Sequence, residues 1–243
     1  MIMPSLESAD PVVLELRDLS HQPSFENGLQ FRNVDLEIRS GELLTIQVDG
    51  AARTRSFASM LQGIGLPDSG EIFFMNQDWL GSDYQRHFSQ RSLIGRVFDG
   101  QAWLENLNVD ENVTLAMRHH GGTREEIRAS LHYWMNHLGL DKLVSRRPAF
   151  VAPATLQLHQ WIRAFIGKPK LVILERPLQF LSEDWFAKLL SAVEVILNND
   201  IAVLWLDSRT DLQSLTLNGR SNHVILNGGK FTIPLDTLGG HHE

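Results

Sequence analysis

The chain has 243 residues, 43% of them hydrophobic and 21% charged, with a formal net charge of -7 and no cysteine. That length fills one large domain or a domain carrying an inserted subdomain, and the charge argues against a nucleic-acid binder held by phosphate contacts. The absence of cysteine excludes disulfides and thiolate metal sites, and no apolar run is long enough to span a bilayer.

Residues 1–11 are polar and contain proline, and read as a flexible leader; residues 236–243 read as a tail. Alternation and β-branched content predict strands over 12–17 and 30–38, joined as an antiparallel hairpin through Glu26-Asn27-Gly28. The apolar run Leu43 to Val48 predicts a buried parallel strand. Phe57, Met60, Leu61 and Ile64 recur at helical spacing and predict a helix that stops in the glycine-rich stretch from Gly63 to Gly70. Strand signal returns over Glu71 to Met75, residues 81–90 read as a loop, and Leu93 to Phe98 reads as a short strand.

Beyond Gly100 the composition turns helical, and residues 100 to about 160 are expected to form a helical insertion. Asn108 starts one helix, and Thr123-Arg-Glu-Glu126 starts another as a capping box. Helices over 156–166 and 183–197 alternate with apolar strands over 171–174 and 201–206, which implies a parallel sheet flanked on both faces. His119-His120 and His241-His242 are adjacent pairs, read as solvated rather than metal-binding, and the Trp134 and Leu138 stripe reads as core.

Short phrases in fixed order make residues 12–235 resemble the ATP-binding cassette (ABC) ATPases. They are Leu66-Pro-Asp-Ser-Gly-Glu-Ile72, Ile94-Gly-Arg-Val-Phe98, Asn108-Val-Asp-Glu-Asn-Val113, the run Arg163 to Leu174, and His223-Val-Ile-Leu-Asn-Gly-Gly-Lys230. The resemblance implies an α/β, P-loop NTPase-like fold with a RecA-like parallel sheet, an antiparallel β-subdomain and an inserted helical subdomain. It also shows what is missing. The family's phosphate loop uses glycines, a lysine and a Ser/Thr that binds Mg²⁺, but this chain has no lysine before Lys142. Thr54 aligns with that lysine and Arg55-Ser56 with the Ser-Thr pair; if Gly50 is instead the first motif glycine, Arg55-Ser56-Phe57 replace Gly-Lys-Ser/Thr.

The Q-loop glutamine aligns with Asp99, and the signature motif with Val151-Ala-Pro-Ala-Thr155, where Pro153 lacks an N–H. The Walker B pair becomes Glu175-Arg176, and a guanidinium cannot serve as general base. The switch histidine aligns with Asp207 and the D-loop aspartate with Ser182, while Phe25 lies near the adenine-stacking position. Arg176, Asp99 and Asp207 are expected to converge as a charge-balanced plug of the γ-phosphate pocket.

The resemblance therefore implies a degenerate, non-catalytic subunit of an ABC transporter-like membrane complex, with no catalytic residue and no cofactor. The alternative is an ATPase that binds Mg²⁺-ATP through Gly50, Arg53, Arg55 and Ser56; a third reading is a soluble interaction module. Expected partners are permease subunits or a second cassette chain, possibly as a dimer, with the chain cytoplasmic at the inner face of the membrane. Trp103 and Leu104 are candidates for the surface that receives a permease helix.

Overall fold

The computed structural model describes residues 10–79, 81, 84–100, 102–217 and 220–232. A four-stranded antiparallel sheet is built from β1 (Val12–His21), β2 (Phe31–Arg39), β4 (Ser69–Phe74) and β5 (Gln77–Asp78), in the order β2-β1-β4-β5. The second sheet contains β3 (Leu43–Gln47), β6 (Ile94–Val97), β7 (Leu171–Glu175), β8 (Ala202–Asp207), β9 (Ser221–Asn227) and β10 (Lys230–Thr232). Its order is β10-β9-β3-β8-β7-β6, parallel throughout except for the closing β9–β10 hairpin.

The central strands read as continuous apolar runs because both of their faces are covered. In β7 and β8, Leu171, Ile173, Leu204 and Leu206 point into a core shared with the antiparallel sheet and with Phe57, Ala58, Met60 and Leu61 of α1 (Arg55–Leu61). Val172, Leu174, Val203 and Trp205 point the other way. They pack on α5 (Pro153–Phe165) and α6 (Asp184–Asn198), in a core that also takes in residues of α3 (Val109–His119) and α4 (Arg124–Leu138). The two-residue period of the strands therefore separates two cores across one sheet.

The anticipated helix starts are real. The Glu111 carboxylate accepts from the Asn108 N–H at 2.7 Å, Glu126 accepts from the Thr123 N–H at 2.9 Å, and Gly139 ends α4 at φ 72°. Three expectations fail. Residues 84–91, read as loop, form α2 (Tyr84–Arg91). Helix α1 stops at Leu61, with Gly63 at φ 64° turning the chain and Ile64 left 64% exposed rather than on the apolar stripe. Helix α5 begins at Pro153, three residues before the apolar spacing starts, because proline's fixed φ suits a first helical position. It packs on β6 as well as on α3 and α4.

The contact between α5 and β6 leaves no room for a side chain at Gly95, where an added Cβ would stand 2.0 Å from the Ala164 carbonyl oxygen. Gly95→Ala should therefore cost about 1–3 kcal/mol through overpacking, measured by urea denaturation. Buried His159 in α5 contacts the Thr155 carbonyl through Nδ1 at 2.7 Å and accepts the Val144 N–H at Nε2, at 3.1 Å. Nδ1 thus carries the proton, and burial lowers the ring's pKa despite the Thr155 bond and Asp110. A depressed pKa means the stabilisation is full above the ordinary imidazole value of about 6.5 and is lost as pH falls through the folded value. His159→Leu should flatten that acid limb of the stability profile.

Candidate functional site

In open parallel sheets, ligands bind beyond the carboxyl ends of the strands. Here β3, β6, β7 and β8 direct their carboxyl ends toward the loop that enters α1. The amides that would have to cradle a phosphate there already hold protein oxygens. The Ala51 N–H donates to the Asp49 carboxylate at 2.8 Å, the Ala52 N–H to the Asp49 carbonyl at 3.0 Å, and the Arg53 N–H to the Asn27 carbonyl at 2.7 Å. One of those acceptors is itself a carboxylate. Arg53 and Arg55 are exposed on this loop, and Gly50 borders a cleft described below. Ser56 buries its hydroxyl without a hydrogen-bond partner.

Behind the loop lies a feature that the motif alignment did not single out. Glu175 at the end of β7 is 0% exposed and Arg96 in β6 is 2% exposed, and they form an ion pair at 2.6 Å through Nε and Oε1. The second carboxylate oxygen accepts from the Thr54 hydroxyl at 2.6 Å. The rest of the guanidinium reaches α1: Nη1 donates to Ser59 Oγ at 3.1 Å and Gln62 Oε1 at 2.8 Å, and Nη2 to the Arg55 carbonyl at 3.1 Å. The Phe98 ring lies 4.4 Å from its centre. Thr54 and Glu175, aligned with the family's lysine and metal-side aspartate, therefore meet, but as members of a closed hydrogen-bonded set. Each oxygen of Glu175 holds a protein donor, and the carboxylate is fully buried.

The signal for this pair was available in the strand register. Arg96 lies opposite Ile173 on the parallel β6–β7 pair, and Glu175, two residues on, shares that face. A basic residue in a buried four-residue strand beside an acid on the same face should pair with it.

Arg176 sits one residue beyond, with φ at 42°. Its Nη1 approaches Asp99 at 3.5 Å and its Nη2 donates to the Asp49 carbonyl at 2.9 Å, while its Nε is buried without a partner. The expected three-member plug is only partly formed. Asp207 makes no ion pair with Arg176; its oxygens accept from Trp205 Nε1 at 3.2 Å and from the Ser208 N–H at 2.8 Å. Burial raises the Asp207 pKa, opposed by those two hydrogen bonds and more weakly by the charge of Arg176. A cleft of about 320 Å³ remains, lined by residues that include Gly50, Arg176, Asp207, Ser208 and Arg209. Arg209 is itself held by Glu183 at 2.7 Å and Asp211 at 2.6 Å.

At the signature position, Ala152 is the N-cap of α5 and offers no hydroxyl, and Pro153 offers no N–H. Ser182 contacts only Asp184, at 3.5 Å, among described side chains. Phe25 is 43% exposed. Trp103 is not a surface anchor: it is 8% exposed, with the Arg163 guanidinium 4.6 Å from its ring, and Leu104 alone of the two is exposed. His119 and His120 pack on Phe88 with ring centroids at 5.1 and 4.4 Å. Among the described residues no three metal-ligating side chains gather, and His241-His242 lies outside them.

The chain is 26% identical over 189 residues to the spermidine/putrescine import ATP-binding protein PotA of Pseudomonas aeruginosa, covering 78% of this chain and 49% of that protein. With PotA of Spiroplasma citri it shares 22% identity over 218 residues, or 89% of this chain and 59% of the relative. It thus spans about half the length of the curated relatives it matches. A solved ATP-binding subunit of an ABC transporter superposes with a TM-score of 0.79 at 19% identity, covering 93% of this chain and 91% of the other. The dimeric post-hydrolysis state of an ATP-binding cassette bound to ADP and Pi gives 0.77 at 17% identity, covering 90% and 96%. No protein-family model matches the sequence.

Removing Arg96 would strand a buried carboxylate, so Arg96→Leu should cost about 3–5 kcal/mol in urea denaturation. Arg176→Ala, which breaks a longer and more solvated contact, should cost about 1 kcal/mol.

Proposed function

We propose that this chain, which belongs to the ATP-binding cassette ATPase family, serves as a non-catalytic cassette subunit of a transporter-like membrane complex. The observation that carries this reading is the buried Glu175 carboxylate, with one oxygen on Arg96 and the other on Thr54. In an active cassette the corresponding acid, the lysine of the loop and the loop amides converge on Mg²⁺-nucleotide. The residues present do not fit that ligand. The lysine is a threonine committed to Glu175, three loop amides are bound to protein oxygens, and the general-base position is an arginine facing Asp99.

Both halves of the composite site are affected, since the signature helix starts with Ala152-Pro153. Pairing with an intact cassette would therefore not complete a site on either side of this chain's interface. Its role is to hold or regulate the assembly at the cytoplasmic face, with permease subunits or a second cassette as partners. Among the described residues no helix is long and apolar enough to cross a membrane.

The test is Mg²⁺-ATP turnover by the purified chain. The expected result is no turnover above background, since loss of a general base alone typically lowers rates about 10²- to 10⁴-fold. Turnover on the order of 1–10³ s⁻¹ that disappears in Arg55→Ala would overturn the reading and establish the loop arginines as replacements for the lysine. Co-purification with a membrane permease tests the assembly; a chain that never associates with one is an interaction module outside transport.

A further inference from the structure

A P-loop helix is ordinarily held at its N-terminus by the phosphates it binds. Helix α1 of this chain has seven residues, no side-chain cap at Thr54 and no acidic residue in its first turn. A helix that short is marginal without outside support. Its support comes from two arginines. At the C-terminal end, Arg91 donates to the carbonyls of Gln62 at 3.1 Å and Gly63 at 2.7 Å, where a cation suits the helix dipole. Along its length, Arg96 contacts Arg55, Ser59 and Gln62 while anchored to Glu175. Thr54 closes the ring from the N-cap to the same carboxylate.

We infer that the Arg96–Glu175 pair stands in for a bound ligand, fixing α1 to the tips of β6 and β7 so that this end of the cassette keeps one arrangement with no nucleotide present. The inference rests on the non-catalytic reading above and adds to it that the pocket is filled by the chain's own side chains, not merely stripped of binding groups. Arg96 is then a positioning residue. Four hydrogen bonds leave from one planar guanidinium into a carboxylate, a hydroxyl, an amide oxygen and a backbone carbonyl. A lysine, with a point-like ammonium, could not hold all four in that fan. For the same reason, restoring lysine at position 54 would bring a second cation to a carboxylate that is already paired.

Hydrogen exchange of the full chain, read by mass spectrometry, tests this. The double variant Arg96→Met with Glu175→Gln removes both charges together, so no buried ion is left alone and the fold is expected to persist. Amides of α1 should then exchange at least about 10-fold faster than in the unaltered chain, while those of β8 stay unchanged; this corresponds to about 1.4 kcal/mol of lost local protection. Millimolar Mg²⁺-ATP should leave the exchange of the unaltered chain unchanged. Equal α1 exchange in the variant and the unaltered chain would overturn the inference, as would slowing of α1 exchange by Mg²⁺-ATP. If the double variant does not fold, Arg96→Lys keeps the charge but not the fan, and should still loosen α1; unchanged α1 exchange there also overturns it. ATP turnover with α1 loosened only in the variants would remove the functional reading and leave the clamp standing, so the two fail separately.

Discussion

A carboxylate at 0% exposure cannot keep its charge without partners, and Glu175 has two: the Arg96 guanidinium and the Thr54 hydroxyl. That requirement organises everything around it. Arg96 must be on the neighbouring strand and on the same face. Thr54 must be short enough to approach, and α1 must come close enough for Ser59 and Gln62 to take up the other guanidinium protons. Such a pair adds little net stability by itself, because the attraction is offset by desolvation. With α1 in this place the guanidinium makes four hydrogen bonds, one to the Glu175 carboxylate and three to residues of α1 and its C-cap.

The outer part of the pocket follows different physics. Arg176 and Asp99 keep 14% exposure each and meet at 3.5 Å, a contact that solvent weakens. Asp207 instead takes an indole N–H and a backbone N–H, leaving it more dependent on burial than on charge pairing. The inner layer is therefore buried, and the outer layer is a polar cleft in which Arg209 is separately tied to Glu183 and Asp211. The tips of β6 and β7 and helix α1 are joined by these side-chain contacts.

The surroundings hold these tips in position. Gln160 of α5 accepts the Phe98 N–H at 3.1 Å and donates to the Gly100 carbonyl at 3.0 Å, and Trp161 donates to the Pro177 carbonyl at 2.9 Å. Helix α5 thus grips the segments following both Arg96 and Arg176. Gly95 permits the close approach on which those bonds depend.

The order of strands and helices was legible along the chain because apolar runs such as Leu171 to Leu174, and capping sequences such as Thr123 to Glu126, act locally. So was the absence of any lysine before Lys142, since it is a matter of residue identity alone. Residues 84–91 misled because their turn-forming neighbours and low apolar content hide a helix. Trp103 misled because nothing in its local spacing reveals that Arg163 covers it. The partner of Glu175 was decided only by tertiary structure. Arg96 and Glu175 are 79 residues apart, and which arginine meets which acid depends on the pairing of β6 with β7, on strand parity, and on how close α1 lies to both. The sequence states which charges exist; burial and register choose the ones that must neutralise each other.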